Sequence, residues 1–290
     1  MAIRTILAAA SGGSASGGAI ELGCRLAQRL KAHVEGFHAL VDPASVLAAA
    51  GAGDGVPAMG PFIDSVMKDA AATAAATRAV FDEAAARHRL THRSQPQMGV
   101  SDGEGSACWR EETGYAPGLV AQRARFFDLV VLGRSERVVR EPSSNTIEET
   151  LARSGRPILL APARPPANIG YVMAVAWNGS PQAVRALSVA LPLLTAADAV
   201  SLITVGDGNL DEVPSVVEYL TWHGVAAKHV HAAATRDKTV GATLLDTAGG
   251  VHADILVMGG YGHRPWREAL FGGVTREVLA TGLMPLLLVH

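Results

Sequence analysis

Apolar runs of four or five residues recur along this chain, several of them leading into a small-residue turn and an amphipathic stretch. The run at 6–10 enters Ser11, Gly12 and Gly13 and then a helical pattern over 19–30; the run at 172–176 enters Asn178, Gly179 and Ser180 and then a helical pattern over 183–194. Both read as strand, turn, helix. Later, Asp128 precedes an apolar strand ending at Gly133, and Asp254 precedes one ending at Gly259, 126 residues further on. Pro157 and Pro285, each opening an apolar run, stand 128 residues apart. These two spacings agree closely enough to mark an internal duplication.

The front ends differ. Gly12 and Gly179 are 167 residues apart, so the first copy carries 41 extra residues, all within 42–105. Part of this surplus reads as a Gly/Ala/Pro loop over 44–61 and part as an Ala-rich helix over 62–88. Second strands are expected at 34–40 and 199–205, and third strands near 94–99 and at 228–233. The alternation predicts an α/β chain of two tandem doubly wound, flavodoxin-like parallel-sheet domains, residues 1–164 and 169–290. Uninterrupted apolar strands such as 255–258 suit a sheet covered on both faces. Pro165 and Pro166 end one unit and stiffen the path to the next.

The second copy carries the chemistry. Its fourth strand leaves into Gly259 and Gly262, with Gly272 after nine further residues, a G-x2-G-x9-G pattern. Glycines at a strand end let the backbone turn at positive φ and approach a ligand. Amides of Gly272, Gly273 and Val274 at the next helix start can then meet phosphate oxygens, with the helix dipole behind them. The pattern resembles that of universal stress proteins of the ATP-binding kind, in tandem form and over essentially the whole chain, within the adenine nucleotide alpha hydrolase-like folds. The resemblance implies that Gly259, Gly262, Gly272, Gly273 and Val274 hold ribose and phosphate. It gives Asn178 and Val205 to adenine, with Ala176 and Met258 lining the site. Two positions depart from the family: Asn178 replaces the usual acid, and Gly273 replaces the usual Ser or Thr. Asn still donates and accepts at a base edge, whereas the missing hydroxyl removes a phosphate hydrogen bond of about 1 kcal/mol. Thr275 matches the family pattern two residues further on. His263, Arg264, Arg267 and Arg276 lie near the loop as phosphate partners or, by default, as solvated surface charge.

The same resemblance implies ATP or another adenine nucleotide as ligand, with or without Mg2+, and pairing of the last strands, 157–161 beside 285–289. A homodimer of four domains is the expected assembly, and a protein partner is unspecified. In the first copy Glu136 takes the place of Gly262, and Ser143, Ser144 and Asn145 stand where the later glycines would be. A carboxylate repels phosphate, so nucleotide binding is expected to be lost there. The segment from Ser11 to Ser16 resembles the pyrophosphate loop of ATP pyrophosphatases, but Ala15 stands where that loop has Asp. A helix-capping turn is the favoured reading.

Composition narrows the function classes. With 25 basic and 27 acidic residues the net charge is -2, without the footprint of a nucleic-acid binder. No apolar run approaches the length of about 18 residues that a membrane span needs. Cys24 and Cys108 have no CxxC partners, so neither a disulfide framework nor a metal site is expected, and a reducing cytoplasm fits. His229 and His231 share a strand face without a carboxylate or thiol at metal spacing. Trp177, beside Asn178, stands near the base position, although core packing is commoner for Trp. Asp128 and Asp254 are read as turn residues. No nucleophile or acid–base pair is arranged for catalysis, so hydrolysis of ATP would at most be weak. The expected function is a stress-response sensor or regulator. The rivals are a dimerising scaffold that binds no nucleotide and a pyrophosphatase-like enzyme using the Ser11 loop.

Overall fold

The computed structural model describes residues 2–10, 13–49, 60–96, 103–134, 142–208, 210–260, 273–281 and 284–289. The first half runs β1 (Thr5–Ala9), α1 (Gly13–Leu30), β2 (His33–Leu40), α2 (Pro43–Ala49), α3 (Gly60–Arg87), β3 (Thr91–His92), β4 (Ser106–Thr113), α4 (Ala116–Ala124), β5 (Leu129–Gly133), α5 (Pro142–Arg153) and β6 (Ile158–Ala161). The second runs β7 (Val172–Ala176), α6 (Pro181–Leu194), β8 (Ala199–Val205), α7 (Val213–Trp222), β9 (Ala227–Ala232), α8 (Val240–Gly250), β10 (Ile255–Gly259), α9 (Gly273–Thr281) and β11 (Leu286–Val289).

All strands join one sheet, in the order β3-β4-β2-β1-β5-β6-β11-β10-β7-β8-β9. Apart from the short β3, each half places its strands third, second, first, fourth, fifth, with parallel pairings throughout. The halves meet through one antiparallel pairing, Leu286 opposite Leu160 and Leu288 opposite Ile158. The strands joined there are the ones the resemblance pairs. Because equivalent strands run in opposite directions, the halves are related by an approximate twofold axis.

Side chains alternate between two cores. Ile6, Ala8, Met173 and Val175 pack with α1, α3, α6 and α7, while Leu7, Ala9, Ala174 and Met258 pack with α4, α5, α8 and α9. Burial of both faces is why the strands read as unbroken apolar runs. The two aspartates fasten the first strand of each half to the fourth. Asp128 Oδ2 accepts from the amides of Arg4 (2.8 Å) and Thr5 (3.0 Å). Asp254 accepts from those of Gly170, Tyr171 and Val172 at 2.8 to 3.0 Å.

Two expectations are corrected in the inserted region. The strand beside β2 is not near 94–99 but is β4, paired with β2 over its full length from Ser106 to Thr113. Only its first three residues are buried, so its charged outer part, Arg110 to Glu112, concealed it. The stretch read as a loop over 44–61 begins inside α2, where Asp42 Oδ1 accepts from the Ala44 amide (3.0 Å) and Pro43 is the first helical residue. That Asp-Pro start is a helix signal that the surrounding small residues masked. Residues 50–59 lie outside those described.

Under α4 the buried Glu35 carboxylate receives both arms of Arg123, at 2.7 and 2.6 Å, and Arg110 Nε at 3.4 Å. The linker is fastened as well as stiffened: Arg25 donates to the Pro166 carbonyl, and Arg29 donates to that of Gly170 (2.9 Å) while lying 3.6 Å over the Tyr171 ring. No helix among the described residues is long and apolar enough to cross a membrane.

Candidate ligand site

The site begins with the turn after β7. Gly179 adopts φ +70°, a conformation that costs glycine little. Asn178 Oδ1 accepts from the Ser180 amide (3.1 Å) and hydroxyl (2.7 Å). Ser180 Oγ in turn accepts from the Ala183 amide (3.2 Å), so it caps α6, with Pro181 as first helical residue. Asn178 is thus a turn-forming residue as well as a candidate contact for a base.

Beyond this turn the order of the sheet reverses. The chain leaves β7 toward β8 on one side, and β10 lies on the other, so a crevice opens at the carboxyl ends of β7 and β10. A cavity of about 550 Å³ occupies it, within the size range of small-molecule sites. Ala176, Asn178, Val205, Met258, Gly259, Gly273, Val274 and Thr275 all line it, so eight residues singled out in the sequence are brought together. Gly262 and Gly272 lie outside the described residues, as do His263, Arg264 and Arg267. The cavity is apolar along β7, β8 and β10 and polar at its rim. The starts of α6, α8 and α9 converge on it, and no Asp, Glu, Lys or Arg among the described residues lines it. Positive potential there comes from helix dipoles.

Known structures bear on this architecture. A universal stress protein from Archaeoglobus fulgidus DSM 4304 is similar over 98% of this chain and 97% of its own, with a TM-score of 0.68 and 13% identity. A protein of unknown function from Pseudomonas aeruginosa PAO1 is similar over 99% of this chain and 92% of its own, with a TM-score of 0.58 and 12% identity. The chain has the tandem universal stress protein fold. No family model matches the sequence, and no curated protein matches it.

Within this universal stress protein fold, Gly259 has a structural role that its motif does not reveal. A Cβ on it would stand 2.5 Å from the Gln182 carbonyl carbon and 2.8 Å from the Ala183 amide nitrogen. In the first half Gly133 meets α1 in the same way, at 2.0 Å from the Ala15 carbonyl oxygen. Both strand-end glycines let a helix start against the sheet, whether or not a ligand is held. Gly259→Ala is therefore expected to destabilise the protein by about 1 to 3 kcal/mol, read as a lower midpoint in urea unfolding; an unchanged midpoint would contradict the packing role. Gly273 is the opposite case, since a Cβ there meets nothing within 4 Å.

The equivalent crevice in the first half is only about 30 Å³, room for a few water molecules at most. Phe37 stands opposite Ala9 there as Ile203 stands opposite Ala176 in the second half, and Val120, Leu132 and Ile147 complete the filling. Glu136 lies outside the described residues. Among those described, apolar side chains are what fill the first crevice.

The sequence reading missed Ile203, Val240 and Leu244, which wall the second cavity from β8 and α8. The i, i+4 spacing of Val240 and Leu244 placed them on one helical face, but only the fold says which. Other candidates fall elsewhere. His229 and His231 bracket Thr204 Oγ1 at 2.9 and 3.3 Å on the edge strand pair and do not line the cavity. Trp177 is at the cavity wall but buried, and its Nε1 has no hydrogen-bond partner among the described residues. Cys108 Sγ lies 3.4 Å from His33 Nε2, yet burial, with Glu35 adding, pushes the thiol up to about 11. At neutral pH that sulfur stays protonated, so the pair is not an activated nucleophile.

Proposed function

We propose that this chain is a universal stress protein of two domains, 1–164 and 169–290, that binds ATP or another adenine nucleotide in the second and acts as a cytoplasmic sensor or regulator. The observation that supports it is the cavity at the strand reversal, with three helix starts facing it and apolar walls suited to a base. In this reading the base lies against Ala176, Val205 and Met258, and the phosphates meet the start of α9 at Gly273 to Thr275. Among the described residues no group of three His, Cys, Asp or Glu can hold a metal ion. Two chains associate as a homodimer.

Calorimetric titration with ATP, ADP and AMP, with and without Mg2+, tests the reading. Heat at micromolar to submillimolar nucleotide is expected, and none at millimolar nucleotide would defeat it. Gly273→Ser restores the hydroxyl usual in the family at a position with open space, so it should tighten ATP about fivefold, the equivalent of one hydrogen bond of about 1 kcal/mol. Unchanged or weaker binding would count against phosphate contact at this turn. A second reading, a scaffold without nucleotide, draws on one observation: Asn178 Oδ1 is already engaged by Ser180.

A further inference from the structure

The first half, whose own crevice has closed, reaches across the central seam to the helix that carries the second half's site. Arg134 directly follows β5, and its amide is fixed to the Ala161 carbonyl (2.8 Å). Its guanidinium reaches the other half, with Nη2 donating to the carbonyl of Met284 (3.1 Å), just before β11, and Nη1 to those of Val278 (3.4 Å) and Leu279 (3.5 Å). Val278 and Leu279 belong to the last turns of α9, where a helix runs out of its own amide partners. A cation at that end is also favoured by the helix dipole.

We propose that Arg134 is a positioning residue for the second half's ligand site, clamping the C-terminal end of α9 so that its first turn keeps its place on the cavity. α9 has nine residues, about 13 Å at the rise of an α-helix, short enough to move as one body. Its far end supplies Gly273, Val274 and Thr275 to the cavity. No carboxylate among the described residues pairs with Arg134, so the helix-end carbonyls are its described partners. Burial pushes its pKa down to about 10, which leaves it cationic at neutral pH.

The clamp runs one way. The equivalent of Arg134 in the second half is Gly260, whose amide meets the Val289 carbonyl (2.8 Å) and which has no side chain to return the contact. The end of α5 is instead served from its own half, by Arg125 Nε on the Arg153 carbonyl (3.2 Å). The half that has lost its crevice thus holds the ligand helix of the half that keeps one. By linkage, ligand bound at the start of α9 strengthens the contact at its end.

Hydrogen exchange on the ligand-free protein, with calorimetric titration of ATP, tests this on wild type, Arg134→Met and Arg134→Lys. Arg134→Met should speed exchange across α9 and weaken ATP, each roughly five- to tenfold, while α5 exchanges as in wild type. Arg134→Lys keeps the charge but not the fork, and should fall between the two. Unchanged α9 exchange overturns the clamp. An equal rise in α5, α8 and α9 also overturns it, since that marks general destabilisation. Faster α9 exchange with unchanged ATP affinity reduces Arg134 to a helix cap and overturns its positioning role. The ATP arm rests on the nucleotide reading: if wild type binds no ATP, that reading fails while exchange still decides the clamp. Should Arg134→Met not fold, Arg134→Lys takes the same measurements.

Discussion

Val274→Glu is expected to weaken ATP binding at least about a hundredfold while melting no lower than Val274→Gln. Val274 lies in the first turn of α9 and on the cavity wall. A carboxylate there meets the dipole that phosphate would otherwise use. One extra unit charge about 4 Å from a phosphate costs roughly 4 kcal/mol at the effective dielectric of a protein surface. The same carboxylate stabilises the helix by about 0.3 to 1 kcal/mol, because acids are favoured in a first turn. Val274 also packs, partly buried, against the second core, so both polar variants give up some packing and the Glu variant is set apart by its loss of binding. Val274→Gln, of the same shape and uncharged, should keep most of the affinity. Calorimetric titration with ATP and a thermal melt on each variant check it; an equal loss in Glu and Gln variants would remove the electrostatic explanation.

Arg123→Met should lower stability by about 3 kcal/mol, the lower end for breaking a buried ion pair. Glu35 has a side chain only 4% exposed, and Arg123 supplies both of its short contacts. Without Arg123 the carboxylate keeps only Arg110 as a cation, at 3.4 Å and from a side chain 46% exposed, and a long thiol contact from Cys108 at 3.9 Å. The thermal midpoint should fall by about 5 °C or more. Replacing the pair together, Glu35→Leu with Arg123→Met, should recover most of the loss, because no buried charge is then stranded. Chemical unfolding of the two variants decides it: if the double variant is as unstable as the single one, packing rather than charge explains the loss.

The duplication was legible because it rests on local spacing. The repeated Asp-strand-Gly and Pro-strand patterns mark elements that the sheet pairs at equivalent positions in each half. β4 was not legible, since its outer residues are charged and its partner β2 lies more than 60 residues earlier in the chain. α2 was passed over because composition outweighed its Asp-Pro start.

The site divides in the same way. The G-x2-G-x9-G spacing pointed to the end of the sheet where the larger cavity lies, and the switch-point geometry explains why β7 and β10 open there. The spacing did not separate a glycine that packs from one that faces open space; Gly259 and Gly273 look alike in the chain, and only the neighbouring backbone distinguishes them. Glu136 and the missing glycines pointed to a lost site in the first copy. The described crevice is closed by Phe37, Val120 and Ile147, which no local motif flags.

By itself the sequence determined the α/β class and the two copies, because periodicity and turn chemistry are local. Only the tertiary structure decided how large each crevice is, which glycines a helix presses against, and that Arg134 of one half reaches α9 of the other. Those depend on distances between residues far apart in the chain, set by packing across the sheet and its central seam.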